Sequence, residues 1–218
     1  MWRRLLGNHE VFVSENGGGV YFPEPGPVTA PAAASRWDGY RRLAVGTPYD
    51  ILRERFDEIR RETRLPLVGF GDMDTEEVMR RTELGRRDAE RARAREFDEP
   101  FVFEGAADEI DVAALYAAAQ ARGLRVARGG RFFHLHGAHD KGLCVRTIAE
   151  AYGAAETIGV GDSANDTDLL RAVDHPCVVG RPDGSHDRDL KRALRDATFV
   201  GGAGPEGFAQ AIGGVFGE

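Results

Sequence analysis

Two carboxylates, Asp162 and Asp166, stand four residues apart behind the apolar run Ile158-Gly159-Val160-Gly161, with Asn165 between them. The run reads as a buried strand that delivers Asp162 to the edge of a sheet, with Asp166 on the first turn of the next helix. Oxygen donors of this kind suit a hard cation such as Mg²⁺. The plain alternative is a helix N-cap with ordinary solvated acids. Lys141 opens another helical stretch, where the helix dipole disfavours a cation. Lysine occurs otherwise only at Lys191, and arginine supplies the rest of the 29 basic residues, so chance placement is a weak account of it.

The surrounding pattern shows what must hold these groups. After Gly137 the rhythm is α/β: a helix from Lys141, a strand at 157–161, a helix from Asn165 and the strand Cys177-Val178-Val179. A helix near 189–195, the strand Thr198-Phe199-Val200 and a last helix opened by Gly204-Pro205-Glu206-Gly207 follow. Such alternation implies a parallel sheet covered by helices.

The N-terminal part differs. Val11-Phe12-Val13, the glycine-rich Ser14-Glu15-Asn16-Gly17-Gly18-Gly19 and Val20-Tyr21-Phe22 read as strand, turn, strand, and residues 23–35 as a loop. From Thr47 the chain turns helical, with Thr47 as cap, Pro48 at the first position, and Ile51, Leu52, Phe56 and Ile59 at helical spacing. Helices after Asp74 and over 86–96, a strand at 101–104, a helix from Ile110 to Ala121 and two short strands between Leu124 and Leu135 complete an α+β insert. The expected division is 1–46 with 137–218 as a core and 47–136 as a cap.

Composition excludes several classes. At 218 residues, 42% hydrophobic and 30% charged, the chain has the make-up of a soluble globular protein. A net charge of −7 argues against a nucleic-acid surface. No apolar run approaches the ~18 residues of a membrane span. Met1-Trp2-Arg3-Arg4-Leu5-Leu6 lacks the apolar core of a signal peptide, because Gly7-Asn8-His9-Glu10 breaks it. Cys144 and Cys177 are too few for a disulfide framework and sit in apolar surroundings, as buried inert thiols do. A reduced, cytoplasmic protein is expected.

Several further segments combine into a family pattern: Asn16-Gly17-Gly18-Gly19, Gly69-Phe70-Gly71-Asp72-Met73, Glu99-Pro100-Phe101, Gly130-Arg131-Phe132-Phe133-His134, Asp140-Lys141-Gly142, Arg181-Pro182-Asp183-Gly184-Ser185 and Gly204-Pro205-Glu206-Gly207. Together with Gly161 to Asp166 they resemble the mannosyl-3-phosphoglycerate phosphatases, a branch of the haloacid-dehalogenase-like superfamily with a type C2B cap. The resemblance covers nearly the whole chain. It implies a Rossmann-like core with an inserted α+β cap, and Mg²⁺-dependent hydrolysis of mannosyl-3-phosphoglycerate to mannosylglycerate and phosphate. Asp162 resembles the metal ligand of the last motif, with Asn165 and Asp166 completing or bracing it. Lys141 resembles the lysine that neutralises the nucleophilic carboxylate and the phosphoryl oxygens as a point charge. Asn16, Gly17 and Gly18 fall where the family binds substrate near the phosphate; for them a hairpin turn is the alternative. Glu104, Arg131 and His134 would face the sugar or glycerate from cap strands, with plain strand surface as the alternative. Arg181, Ser185 and His186 would reach the glycerate carboxylate. The partner implied is a small glycosyl phosphoglycerate, with neither nucleic acid nor membrane.

One expected piece is absent from the pattern. The superfamily's nucleophile lies in an N-terminal Asp-x-Asp-Gly-Thr segment, and the residues before Asn16 contain no Asp. Two βα units, on the order of 40 residues, would carry it. The expectation is a start upstream of Met1; the alternative is an inactive truncated sugar-phosphate-binding protein. Asp72-Met73-Asp74-Thr75 mimics the nucleophile motif, but Thr75 stands where Gly belongs, and Glu76-Glu77-Val78 makes Asp74 a helix N-cap. A remote alternative is a zinc metallohydrolase using His134, His136 and His139, spaced as His-x-His-x-x-His.

Overall fold

The computed structural model describes residues 7–105, 112–129 and 131–217. Met1 to Leu6, the expected helix start at Ile110, and Gly130 lie outside the described residues. The chain divides into two compact units, one of Met1–Pro27 with Ala32–His139 and one of Val28–Pro31 with Asp140–Glu218.

The first unit holds two antiparallel sheets. Strands β1 (Phe12–Ser14), β2 (Gly19–Pro23), β3 (Ser35–Trp37) and β4 (Tyr40–Ala44) form one, in the order β1-β2-β4-β3. Phe12, Tyr21, Trp37 and Tyr40 stack on one of its faces. The second sheet has β5 (Leu67–Gly69), β6 (Asp98–Phe103), β7 (Leu124–Gly129) and β8 (Phe132–Gly137), in the order β5-β6-β8-β7. Helices α1 (Tyr49–Thr63) and α4 (Val112–Gln120) cover one face of this sheet. There Leu52, Phe56, Ile59, Phe101, Leu115 and Leu135 form the largest core. Helices α2 (Thr75–Thr82) and α3 (Arg86–Arg93) cover part of the opposite face through Phe70, Val78, Ala89, Val102 and Phe132. Strand alternation produces this split: odd-numbered residues of β6 and β8 meet α1 and α4, even-numbered ones the other side.

The second unit is α/β. Strands β9 (Ile158–Gly161), β10 (His175–Gly180) and β11 (Thr198–Ala203) form a parallel sheet in the order β11-β10-β9. Helices α5 (Lys141–Tyr152), α6 (Thr167–Leu170), α7 (Arg188–Ala193) and α8 (Gly204–Phe216) accompany it. Leu170, Val178, Leu190 and Leu194 fill the core on the α6 and α7 side. On the other side α8 packs closely: a Cβ at Gly207 would collide with the Gly202 carbonyl, so only glycine lets helix and strand approach this way. That packing need, with Pro205 in the first turn, accounts for the Gly-Pro-Glu-Gly segment without any ligand.

Capping follows the sequence in three places. Asp74 accepts from Glu77 N (2.7 Å), Asp140 from Gly142 N (2.6 Å), and Asp187 from Asp189 N and Leu190 N. Asp74 is thus an N-cap, as its setting implied. Other expectations are corrected. The cap position of α1 is Pro48, not Thr47, and no side chain caps it. Ile51 is 40% exposed, because it falls outside the stripe of Leu52, Phe56 and Ile59. Strands β3 and β4 occupy a stretch whose sequence shows no strand signal. The N-terminal strands are tied to the segment that leads into β6. Their ties are specific: Glu15 Oε2 accepts from Glu96 N and Phe97 N, and Glu96 in turn takes Tyr21 Oη and Arg42. Cys144 and Cys177 are buried and not joined in a disulfide, and burial pushes the Cys144 thiol up to about 11.

Candidate active site

Lys141, Asp162 and Asp166 come together in the second unit. Strand β9 ends at Gly161 and leaves Asp162 exposed just beyond it. The chain then makes a short turn over Ala164–Asp166 into α6. Lys141 Nζ donates to Asp166 Oδ1 (3.0 Å), and Asp162 N donates to Asp166 Oδ2 (3.3 Å). Both Asp166 oxygens are thereby committed, so Asp166 braces while the Asp162 carboxylate stays open to solvent. Asn165 is exposed, and its Oδ1 accepts from Ser163 Oγ. Asp162 and Asp166 line a pocket of about 400 Å³ with Val160, Val179, Gly204 and Phe208.

The donor set fits Mg²⁺ chemically. Asp162 and the Asn165 carbonyl are hard oxygen donors, and Mg²⁺ commonly takes only one or two carboxylates, with water and phosphate supplying the rest. Among the described residues no group of three or more His, Cys, Asp or Glu side chains is placed to hold a metal by itself.

Arg181 and Ser185, also in the second unit, belong to one closed turn. Arg181 N donates to Ser185 O, and Arg181 Nη2 donates to Asp187 (2.7 Å). Ser185 N and Oγ both donate to Asp183 Oδ1. His186 Nε2 lies 2.8 Å from Val200 O.

In the first unit Asn16 and Gly17 sit in a tight turn at positive φ (55° and 98°), continuing from Glu15 at 53°. Two successive non-glycine residues in the left-handed region store strain. The doubly bonded Glu15 carboxylate holds it in place. Gly18 follows, buried against Phe97. Glu104 is 55% exposed and accepts from Arg81 Nη2 (3.0 Å). Arg131 donates to Glu83 Oε1 and Thr82 O, and lines a pocket of about 370 Å³ with Arg128, Phe103 and Phe133.

His134 Nδ1 lies 2.8 Å from Asp98 Oδ2. Asp98, which lies in the family-like segment 95–101 but has no role assigned from the sequence, is 2% exposed. The signal available in the sequence was a pair of acids, Asp98 and Glu99, inside a strand that is otherwise apolar. Glu99 is a second such group: its side chain is fully buried and accepts from Arg53 Nη1 (2.8 Å), Gly71 N (3.0 Å) and Tyr49 Oη. Burial pushes its carboxyl up from the ordinary range.

The zinc reading does not survive this geometry. His134 is turned to Asp98, and His136 is buried with Nδ1 on Gly137 O (2.8 Å). His139 lies against His136 with ring centroids 5.1 Å apart, not convergent on a shared point with His134. Burial pushes His136 down and His139 down to about 4.

Comparison with known proteins supports the same class. No family model matches the chain. A solved haloacid-dehalogenase subclass IIB sugar phosphatase superposes with a TM-score of 0.60 at 13% identity, covering 99% of this chain and 79% of that one. The fold is therefore the α/β fold of haloacid-dehalogenase-like phosphatases. A glucosyl-3-phosphoglycerate/mannosyl-3-phosphoglycerate phosphatase of Methanococcoides burtonii is 36% identical over 208 residues, 94% of this chain and 75% of that protein. One from Persephonella marina is 37% identical over 183 residues, 81% of this chain and 66% of its own length. The chain belongs to the glucosyl-3-phosphoglycerate/mannosyl-3-phosphoglycerate phosphatase family, and so to the phosphoric monoester hydrolases.

Proposed function

We propose that the protein hydrolyses mannosyl-3-phosphoglycerate to mannosylglycerate and phosphate with Mg²⁺, and that residues 47–136 act as the cap on a core of 1–46 and 137–218. The observation that carries this reading is the Lys141–Asp166–Asp162 arrangement on the strand end of a parallel sheet. Asp162 and Asn165 would hold Mg²⁺, which supplies charge stabilisation to the phosphoryl oxygens. Lys141 places a fixed cation beside the same carboxylates, and Asp166 holds that ammonium in position. In this chemistry a carboxylate oxygen attacks phosphorus, the ester P–O bond breaks, and water releases phosphate from the acyl phosphate. No residue of the 218 is assigned as the attacking carboxylate. Asn16, Gly17, Gly18, Glu104, Arg131, His134, Arg181 and Ser185 are the proposed substrate contacts.

The test is phosphate release by protein purified from its natural source, whose intact mass is measured alongside. Release is expected with Mg²⁺ and mannosyl-3-phosphoglycerate, and is lost with Asp162→Ala. The 218-residue chain of 23.8 kDa is expected to show none. No release by the natural-source protein refutes the reading. Release by the 218-residue chain refutes that last expectation.

A further inference from the structure

The Asp98–His134 pair has a directionality that a packing role does not require. Asp98 lies in β6 and pairs across with His136 in β8, which pairs with Arg125 in β7. The next row of the same face is Pro100, His134 and Ala127. His134 therefore stands between two side chains without polar groups, and the Asp98 carboxylate reaches it on the diagonal, 2.8 Å from Nδ1. Asp98 Oδ1 is buried with no hydrogen-bond partner among the described residues, and Arg95 Nη1 is 3.8 Å from Oδ2. A buried carboxylate with one unsatisfied oxygen costs stability, so its one short, directed bond needs a reason beyond packing.

That bond fixes a tautomer. An ionised carboxylate only accepts, so a neutral His134 must carry its proton on Nδ1. Nε2 is then left as a bare acceptor, on a side chain 22% exposed and with no protein partner among the described residues. An acceptor-only nitrogen selects a donor. In a glycosyl phosphoglycerate at neutral pH the phosphate and carboxylate oxygens accept, and the hydroxyls can donate. We propose that Asp98 is a positioning residue that presents His134 Nε2 as the acceptor for a sugar hydroxyl of the substrate. This rests on the phosphatase reading above and extends it to the recognition of the glycosyl part.

The experiment has two arms. In the full chain, ¹⁵N-resolved NMR of the His134 ring at neutral pH is expected to show the Nδ1–H tautomer, and Asp98→Asn to move the ring toward Nε2–H. This first measurement needs no variant and stands even where Asp98→Asn folds poorly. In natural-source protein, Asp98→Asn is expected to raise KM for mannosyl-3-phosphoglycerate about tenfold while changing kcat less, as the loss of one hydrogen bond does. An Nε2–H ring in the wild type overturns the proposal. So does an unchanged KM in an enzyme that still releases phosphate, and in that case the phosphatase reading stands. Absence of any release overturns both.

Discussion

Replacing Glu99 by alanine tests the buried network at the heart of the first unit. The carboxylate holds Arg53, Gly71 N and Tyr49 Oη, and its own side chain is fully buried. Arg53 is not stranded by the change, because Nη2 keeps Asp72 at 2.5 Å. The amide of Gly71 and the hydroxyl of Tyr49 lose their acceptor. Gly71 is exposed and Tyr49 half-buried, so each orphaned donor falls at the low end of about 1–3 kcal/mol, and with the cavity left by a fully buried side chain Glu99→Ala is expected to cost about 3 kcal/mol in all. Glu99→Gln keeps the shape and one acceptor oxygen and is expected to cost about 1–2 kcal/mol. Urea unfolding followed by tryptophan fluorescence reads this unit through Trp37 in β3. With a slope of roughly 1–3 kcal/mol per molar, the alanine variant moves the midpoint by about 2 M. A shift worth less than about 1 kcal/mol, or equal costs for both variants, would refute the reasoning.

Three further predictions follow from particular contacts. His139 titrates at about 4 when folded and near its ordinary 6.5 when unfolded. As pH falls from 6.5 to 4 the unfolded chain takes up a proton that the folded chain refuses, so stability drops across that window and levels off below it. Both ring nitrogens are buried, and the expected loss is about 2–3 kcal/mol, absent in His139→Gln when unfolding is measured at both ends of the window. Gly161→Ala places a Cβ 2.7 Å from the Asp166 Cβ; a weakened Lys141–Asp166 pair is expected, seen as faster modification of Lys141 by an amine reagent. Asp74→Ala removes the α2 N-cap and is expected to cost about 1 kcal/mol, read by the same urea titration; no change would show that another group caps that helix.

What the sequence made legible was local. Asp162, Asn165 and Asp166 lie within five residues, and the strand before them reads from four apolar positions, so the chemistry could be placed before any fold was known. The aspartate cap at 74 is equally local. What stayed hidden depends on distant partners. Asp98 gains its meaning only from His134, 36 residues on. Strands β3 and β4 carry arginines and aromatics that gain their place by pairing, β4 on β2 and β3 on β4, rather than by their own alternation. The turn at Glu15 looks like an ordinary glycine hairpin until its carboxylate is seen on the amides of Glu96 and Phe97. Thr47 failed as a cap because Pro48 already occupies the non-helical position.

The Glu15 contact also sets a schedule on the ribosome. Its two amide donors lie 81 and 82 residues downstream. At roughly 5–20 residues per second, about 4–16 s of synthesis separate the glutamate from its partners. During that interval the left-handed turn bearing Asn16 lacks both carboxylate bonds and is held only by local contacts such as Gly18 N to Glu15 O and the β1–β2 pairing. The nascent N-terminal sheet must wait with that corner unset, and the loop is fixed only once β6 has emerged. Variants that weaken the start of β6 therefore act first on the growing chain, as lost yield of folded protein, before they show in the finished molecule.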